Sequence, residues 1–160
     1  MRFHFEQAIE LARTTLFAFH ENPANLETLH RGWSNFRLIR HDGGIRQGNR
    51  TWVEVTMAGI LPVVLGFEHT LYEPPRRFGE ELIHGPFRKL SHVHEFEEVN
   101  STTIVRDFLD VELPWIYGGE AAMTRLVAPI LNRIFKQRGA SLANLAKNNA
   151  IDPLAKQHQA

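Results

Sequence analysis

A single long amphipathic segment follows a chain that, past its first thirty or so residues, reads only as strands and turns. This pairing constrains the fold more tightly than any other feature of the sequence. Met123, Leu126, Val127, Ile130, Leu131, Ile134 and Phe135 recur at helical spacing over more than three turns. Pro129 falls inside the stripe and should kink the helix or free one carbonyl, because proline has no N–H to offer residue 125. Gly139 is a candidate stop, and Leu142 and Leu145 prolong the stripe if the helix runs through it. An antiparallel sheet must cover one face, and one helix laid across a strongly curved sheet covers that face only in part. The volume left over is a cavity, which is the physical reason to expect ligand binding.

The strands come from alternation and turn residues. Phe3, Phe5, Gln7 and Ile9 share one face of a period-2 run, predicting a strand over Arg2 to Leu11. Thr14 to His20 breaks the alternation and predicts a short helix. Asn22-Pro23 reads as an N-cap with proline at the first helical position, opening a second short helix through Leu29. Asn35 to His41 leads into the hairpin signal Asp42-Gly43-Gly44. Arg50 to Met57 puts Thr51, Val53, Val55 and Met57 on one face. Ala58-Gly59 turns the chain into Leu61 to Tyr72, Pro74-Pro75 makes a corner, and Arg77 to His84 runs extended. After Gly85-Pro86, Leu90 to Val99 and Thr102 to Leu113 form a last hairpin about Asn100-Ser101. The count is about seven antiparallel strands, hence an α+β fold.

Charge and composition exclude several functions. Lys plus Arg and Asp plus Glu are 18 each, so no net field draws in nucleic acid or an anionic membrane. No run approaches the roughly 18 apolar residues of a membrane helix, and Met1 to Glu10 lacks the apolar core of a signal peptide. Membrane insertion is therefore not expected. The absence of cysteine fits a reducing, cytoplasmic setting. Phe outnumbers Tyr 11 to 2, and Phe has no polar atom to satisfy, which suits a wide, dry interior.

Nine histidines stand out in such a chain. His92 and His94 share a strand face with Leu90 and Phe96, and Asp107 shares one with Val105, Leu109 and Val111. A turn centred on Asn100-Ser101 places His94 opposite Asp107. Three readings follow. The pair satisfies itself and locks the register; or His92, His94 and His69 present donors to the polar head of a ligand; or the cluster binds metal or catalyses. His-x-His on a strand is a known zinc geometry, with Asp107 as ligand or as the acceptor behind a ligating histidine. Without an identifiable third ligand it is a weak signal, so neither a metal nor another cofactor is expected. Glu80 shares a face with Phe78 and Leu82. At the sheet edge it is simply solvated; buried, its pKa should rise and fit it for general acid work. The tryptophans Trp33, Trp52 and Trp115 read as packing or rim residues. No phosphate loop or serine-nucleophile motif is present.

Three stretches carry a resemblance. LFAFHENPANLETL, EPPRRFGEELIHGPFRKLSHVHEF and VRDFLDVELP with its following Gly-Gly pair resemble the START-related, birch-pollen-allergen-like helix-grip superfamily, in particular its bacterial ligand-binding and polyketide-cyclase-like branch. The resemblance implies a helix-grip domain over residues 1–139, with 140–160 a helical extension or frayed tail. It also marks departures: His30-Arg31-Gly32-Trp33 where Thr-Pro is usual, Leu65 for a tryptophan, and His69 for an aliphatic residue. The expected function is binding of a small apolar molecule such as a lipid, isoprenoid or aromatic polyketide-like compound. Val55, Met57, Phe67, His69, Phe78, His92 and His94 are expected to contact it, with Phe96, Asp107 and Leu109 from the last strands and Leu126 and Ile130 from the helix. Two other classes compete: a cyclase or dehydratase using His94–Asp107 as base and Glu80 as acid, and an interaction module recognisable by an exposed apolar patch.

Overall fold

The alternation resolves into seven strands in a computed structural model that describes residues 1–152 apart from 23, 32, 34, 58 and 59. They are β1 (Arg2–Ile9), β2 (Phe36–His41), β3 (Arg50–Met57), β4 (Leu61–Glu73), β5 (Arg77–His84), β6 (Lys89–Val99) and β7 (Thr102–Glu112). Between β1 and β2 stand two short helices, α1 (Arg13–Glu21) and α2 (Asn25–Leu29). The strands form one curved sheet in the order β1-β7-β6-β5-β4-β3-β2. Every neighbouring pair is antiparallel. The meander from β2 to β7 is thus closed on its far side by β1.

After β7 a short 3-10 turn (Trp115–Tyr117) meets Gly118 and Gly119, both with positive φ (93° and 53°), which redirects the chain into the concavity. From there Gly119–Ala122, a π-turn Met123–Val127 and Ala128–Lys147 run on as one long helix of 29 residues. Pro129 explains the π-turn. Its missing N–H cannot close a regular turn, and the wider turn just before it takes up the mismatch, with Ala128 N–H donating to Met123 O. Gly139 does not stop the helix.

The inward stripe is therefore Met123, Val127, Leu131, Phe135, Arg138 and Leu142. Leu126 is not part of it: it stands 64% exposed on the opposite side. Trp115 is likewise exposed rather than packed, whereas Trp52 lies on the outer sheet face over Gly66, whose hydrogen leaves room for the ring. Asn22 is the C-cap of α1 rather than the N-cap of α2, and its side chain accepts from Ala24 N–H at 3.0 Å. Pro23 lies outside the described residues. The turn at Asp42-Gly43-Gly44 opens into a longer β2–β3 connection that buries Ile45. Ile151 is fully buried, and residues 153–160 lie outside those described.

Two apolar clusters make the core. One gathers Ile9, Leu16, Phe17, Phe19, Phe78, Phe96, Val105, Leu142 and Ile151 under the short helices. The other gathers Val53, Phe67, Leu90, Leu109, Val111, Met123 and Val127 under the start of the long helix. A set of polar side chains occupies the seam between them.

Candidate functional site

Strand register builds the seam. His69 on β4 pairs with Glu80 on β5, Glu80 with His92 on β6, and His94 with Asp107 on β7. All five face the helix, because each sits on the inward phase of its strand. The helix adds Arg138 from above, the one charged member of its inward stripe, 8% exposed.

The contacts converge on one oxygen. Asp107 Oδ1 lies 3.0 Å from His92 Nε2, 2.6 Å from His94 Nδ1 and 3.4 Å from Arg138 Nη1. His92 Nε2 and Arg138 Nη1 donate to it, and the His94 tautomer protonated at Nδ1 does so too. Arg138 Nη2 also comes within 3.5 Å of His94 Nδ1, a contact of two donors in that tautomer. Glu80 Oε1 lies 3.6 Å from His92 Nδ1, and Glu80 Oε2 lies 3.9 Å from His69 Nδ1. These are ion-pair distances rather than hydrogen bonds.

Burial and neighbours set the charges. Burial alone would raise Asp107, but Arg138, His94 and His92 outweigh it and hold the carboxyl well below its usual range. Glu80 follows the same logic: burial pushes it up, and His92, His69 and His94 bring it down to about 2. This overturns the expectation that a buried Glu80 has a raised pKa. It is ionised near neutrality and has no proton to give as a general acid. Burial works to lower His92 too, but Asp107 and Glu80 on either side raise it. His94 falls well below its ordinary value through burial and the neighbouring His92. Burial also lowers His69, and takes His20 and His30 to about 4. The seam thus holds two ionised carboxylates and the Arg138 guanidinium, with the pKa of His92 raised between the carboxylates.

Two adjoining chambers flank this cluster. The larger has a volume of about 170 Å³ and apolar walls from Val53, Val55, Leu65, Phe67, Leu90, Leu109, Leu131, Ile134 and Phe135. His30, Trp33 and Phe36 line the same chamber. The smaller, about 50 Å³, is bordered by Phe19, His20, Asn25, Ile45, His69 and Phe78. Leu26, Thr51, Glu80, His94 and Arg138 border both, so the polar cluster is the partition between them.

Of the residues singled out in the sequence, Val55, Phe67, His92, His94, Leu109 and Glu80 border the larger chamber. His69 and Phe78 border the smaller. Phe96 is buried in the core behind Phe78, and Asp107 lies beneath the two histidines. Three others fall outside the walls. Leu126 faces away because the stripe passes through Met123 and Val127. Ile130, half-buried, flanks that stripe, and Met57 lies on β3 beyond Val55, the last β3 residue on the chamber wall. Sequence reasoning missed Arg138 and His20, and marked His30 only as a departure from the resembled pattern. His30 stacks on Phe36 at 4.0 Å and meets Trp33 edge-on at 4.5 Å. Arg138 carried a signal, its place three residues after Phe135 and four before Leu142.

A curved seven-stranded antiparallel sheet closing on one long C-terminal helix is the helix-grip fold. Solved structures agree. Protein Ms6760 from Mycobacterium smegmatis superposes with a TM-score of 0.71 at 15% identity, over 92% of each chain. Ara h 8.0201 gives 0.62 at 11% identity, over 92% of this chain and 98% of that one. The major latex-like protein 151 from Panax ginseng gives 0.57 at 10% identity, over 71% and 79%. No protein-family model and no curated protein matches the sequence. Among the described residues no helix is long and apolar enough to cross a membrane.

Proposed function

We propose that the protein binds a compact apolar molecule bearing one polar group, with its apolar body in the larger chamber and its polar group against the His–Glu–Arg partition. One observation carries this reading: the apolar chamber ends on buried, charged side chains, the combination that fixes a ligand's orientation inside a small-molecule site. Size narrows the class. A chamber of about 170 Å³ is close to the roughly 150 Å³ engineered apolar cavity that takes up benzene. A compound of one or two rings suits it, whereas a long-chain lipid requires the helix to move away from the sheet. Among the ligand classes expected from the sequence, an aromatic polyketide-like fragment therefore fits best.

The partition supplies the means of recognition. With Nδ1 turned to Asp107, His94 leaves Nε2 for a ligand, and Arg138 offers positive charge to an electron-rich oxygen. The test is to purify the protein, denature it and identify released small molecules by mass spectrometry, alongside equilibrium binding of indole and 1-naphthol. Binding of the ring compounds, lost in Val55→Trp, supports the reading. No binding by the folded wild type, or equal binding by Val55→Trp, contradicts it.

A further inference from the structure

We propose that Glu80, His92 and His94 form a site for one divalent transition-metal ion of the zinc class, with Asp107 behind it and a coordination position open to the cavity. This goes beyond the binding of an apolar molecule and does not depend on it. One donor atom from each of the three side chains lies within 4.8 Å of the other two. Donors about 2.1 Å from a tetrahedral zinc stand about 3.4 Å apart; Glu80 Oε1 and His92 Nδ1, at 3.6 Å, are already near that spacing, and binding would draw the third donor in.

Asp107 decides which nitrogens are available. It takes Nδ1 of His94 and Nε2 of His92, leaving Nε2 of the first and Nδ1 of the second. A carboxylate that receives the far N–H of each ligating histidine is the usual support of a histidine metal site, fixing tautomer and ring orientation together. A third carboxylate-side donor was the missing piece in the sequence, and the register provides it by setting Glu80 directly across from His92.

An independent observation points the same way. His69 is 3% exposed, and its Nδ1 has no hydrogen-bond partner among the described residues. It is aimed at the second oxygen of Glu80, 3.9 Å away. A buried polar atom without a partner calls for an explanation, and a nearby ion is one of those that supply it. Charge agrees: Glu80 and Asp107 together face one fixed cation, Arg138, so the seam has room for more positive charge. Two imidazoles and one carboxylate select zinc, cobalt, nickel or ferrous iron, and disfavour magnesium and calcium, which take oxygen donors.

The experiment uses the full chain freed of metal with a chelator, titrated with Zn²⁺ by calorimetry and with Co²⁺ by visible absorption. One ion per chain is expected, with Co²⁺ broadening the ring resonances of His92 and His94. Glu80→Gln and His94→Gln should each weaken binding at least about 100-fold, beyond the roughly 10–100-fold typical of losing a residue that only hydrogen-bonds a ligand. His41→Gln, on the surface, should bind as the wild type does. Absence of saturable binding, broadening confined to exposed histidines, or wild-type affinity in folded Glu80→Gln overturns the site. The wild-type spectra decide the matter even where a variant does not fold. Binding of 1-naphthol in the presence of chelator reports on the cavity separately, so loss of one conclusion leaves the other standing.

Discussion

At the residue scale Asp107 is the keystone of the polar seam, because three donors on two different elements meet on its Oδ1. Asp107→Ala leaves the Arg138 guanidinium buried without its anion, and such a loss costs about 3–5 kcal/mol. Urea unfolding at pH 7 should show that decrease, and a change under about 1 kcal/mol would mean the pair is solvated. His30 gives a pH-dependent counterpart. Its pKa is about 4 folded against 6.5 unfolded, so between those values only the unfolded chain takes up the proton. Stability therefore falls as pH drops from 6.5 towards 4, by about 1.4 kcal/mol per pH unit for such a group. His20, shifted likewise, adds to the slope. His92, whose pKa is raised, acts in the opposite sense, its contribution being lost as pH rises above 6.5. His30→Phe should flatten the dependence by one residue's share, and an unaltered slope would contradict the assignment. The histidines that pair along β6 and β7 were legible in the sequence, since two-residue periodicity and one turn fix that register. Arg138 was legible only in its spacing from Phe135 and Leu142, because a charged residue on a helix ordinarily reads as solvent-facing.

At the element scale the strands were legible and their irregularities were not. Inward faces on β3, β6 and β7 follow from alternation alone. Pairing of β4 with β5 shifts register between Gly66 and Phe67 and again between His69 and Leu71, so no count from a turn predicts that His69 meets Glu80. The long helix shows the same division. Its stripe was visible, but the π-turn at Met123–Val127 turned Leu126 outward, and nothing in residue spacing distinguishes that outcome from a kink. Gly66 offers an element-scale test. A β-carbon there would stand 2.8 Å from the Trp52 ring, which crosses the strand on its outer face. Gly66→Ala should destabilise the protein by about 1–3 kcal/mol, as overpacking does. A thermal midpoint matching the wild type would mean that Trp52 swings aside freely.

For the whole molecule the decisive relation is between helix and sheet. Helix and sheet close over two apolar clusters and leave a chamber between them, bounded by residues from β3 to β7 and the middle of the helix. The turn Trp115–Tyr117 and Ile60 expose apolar side chains. They stand apart from the walls of the chamber. The most direct measurement is isotope-filtered NMR of the labelled protein with unlabelled 1-naphthol, reading contacts from the ring to protein methyl groups. The account predicts contacts to Val55, Leu65, Leu109 and Leu131. Contacts confined to Ile60 and Ile116, or none while the protein remains folded, would contradict it.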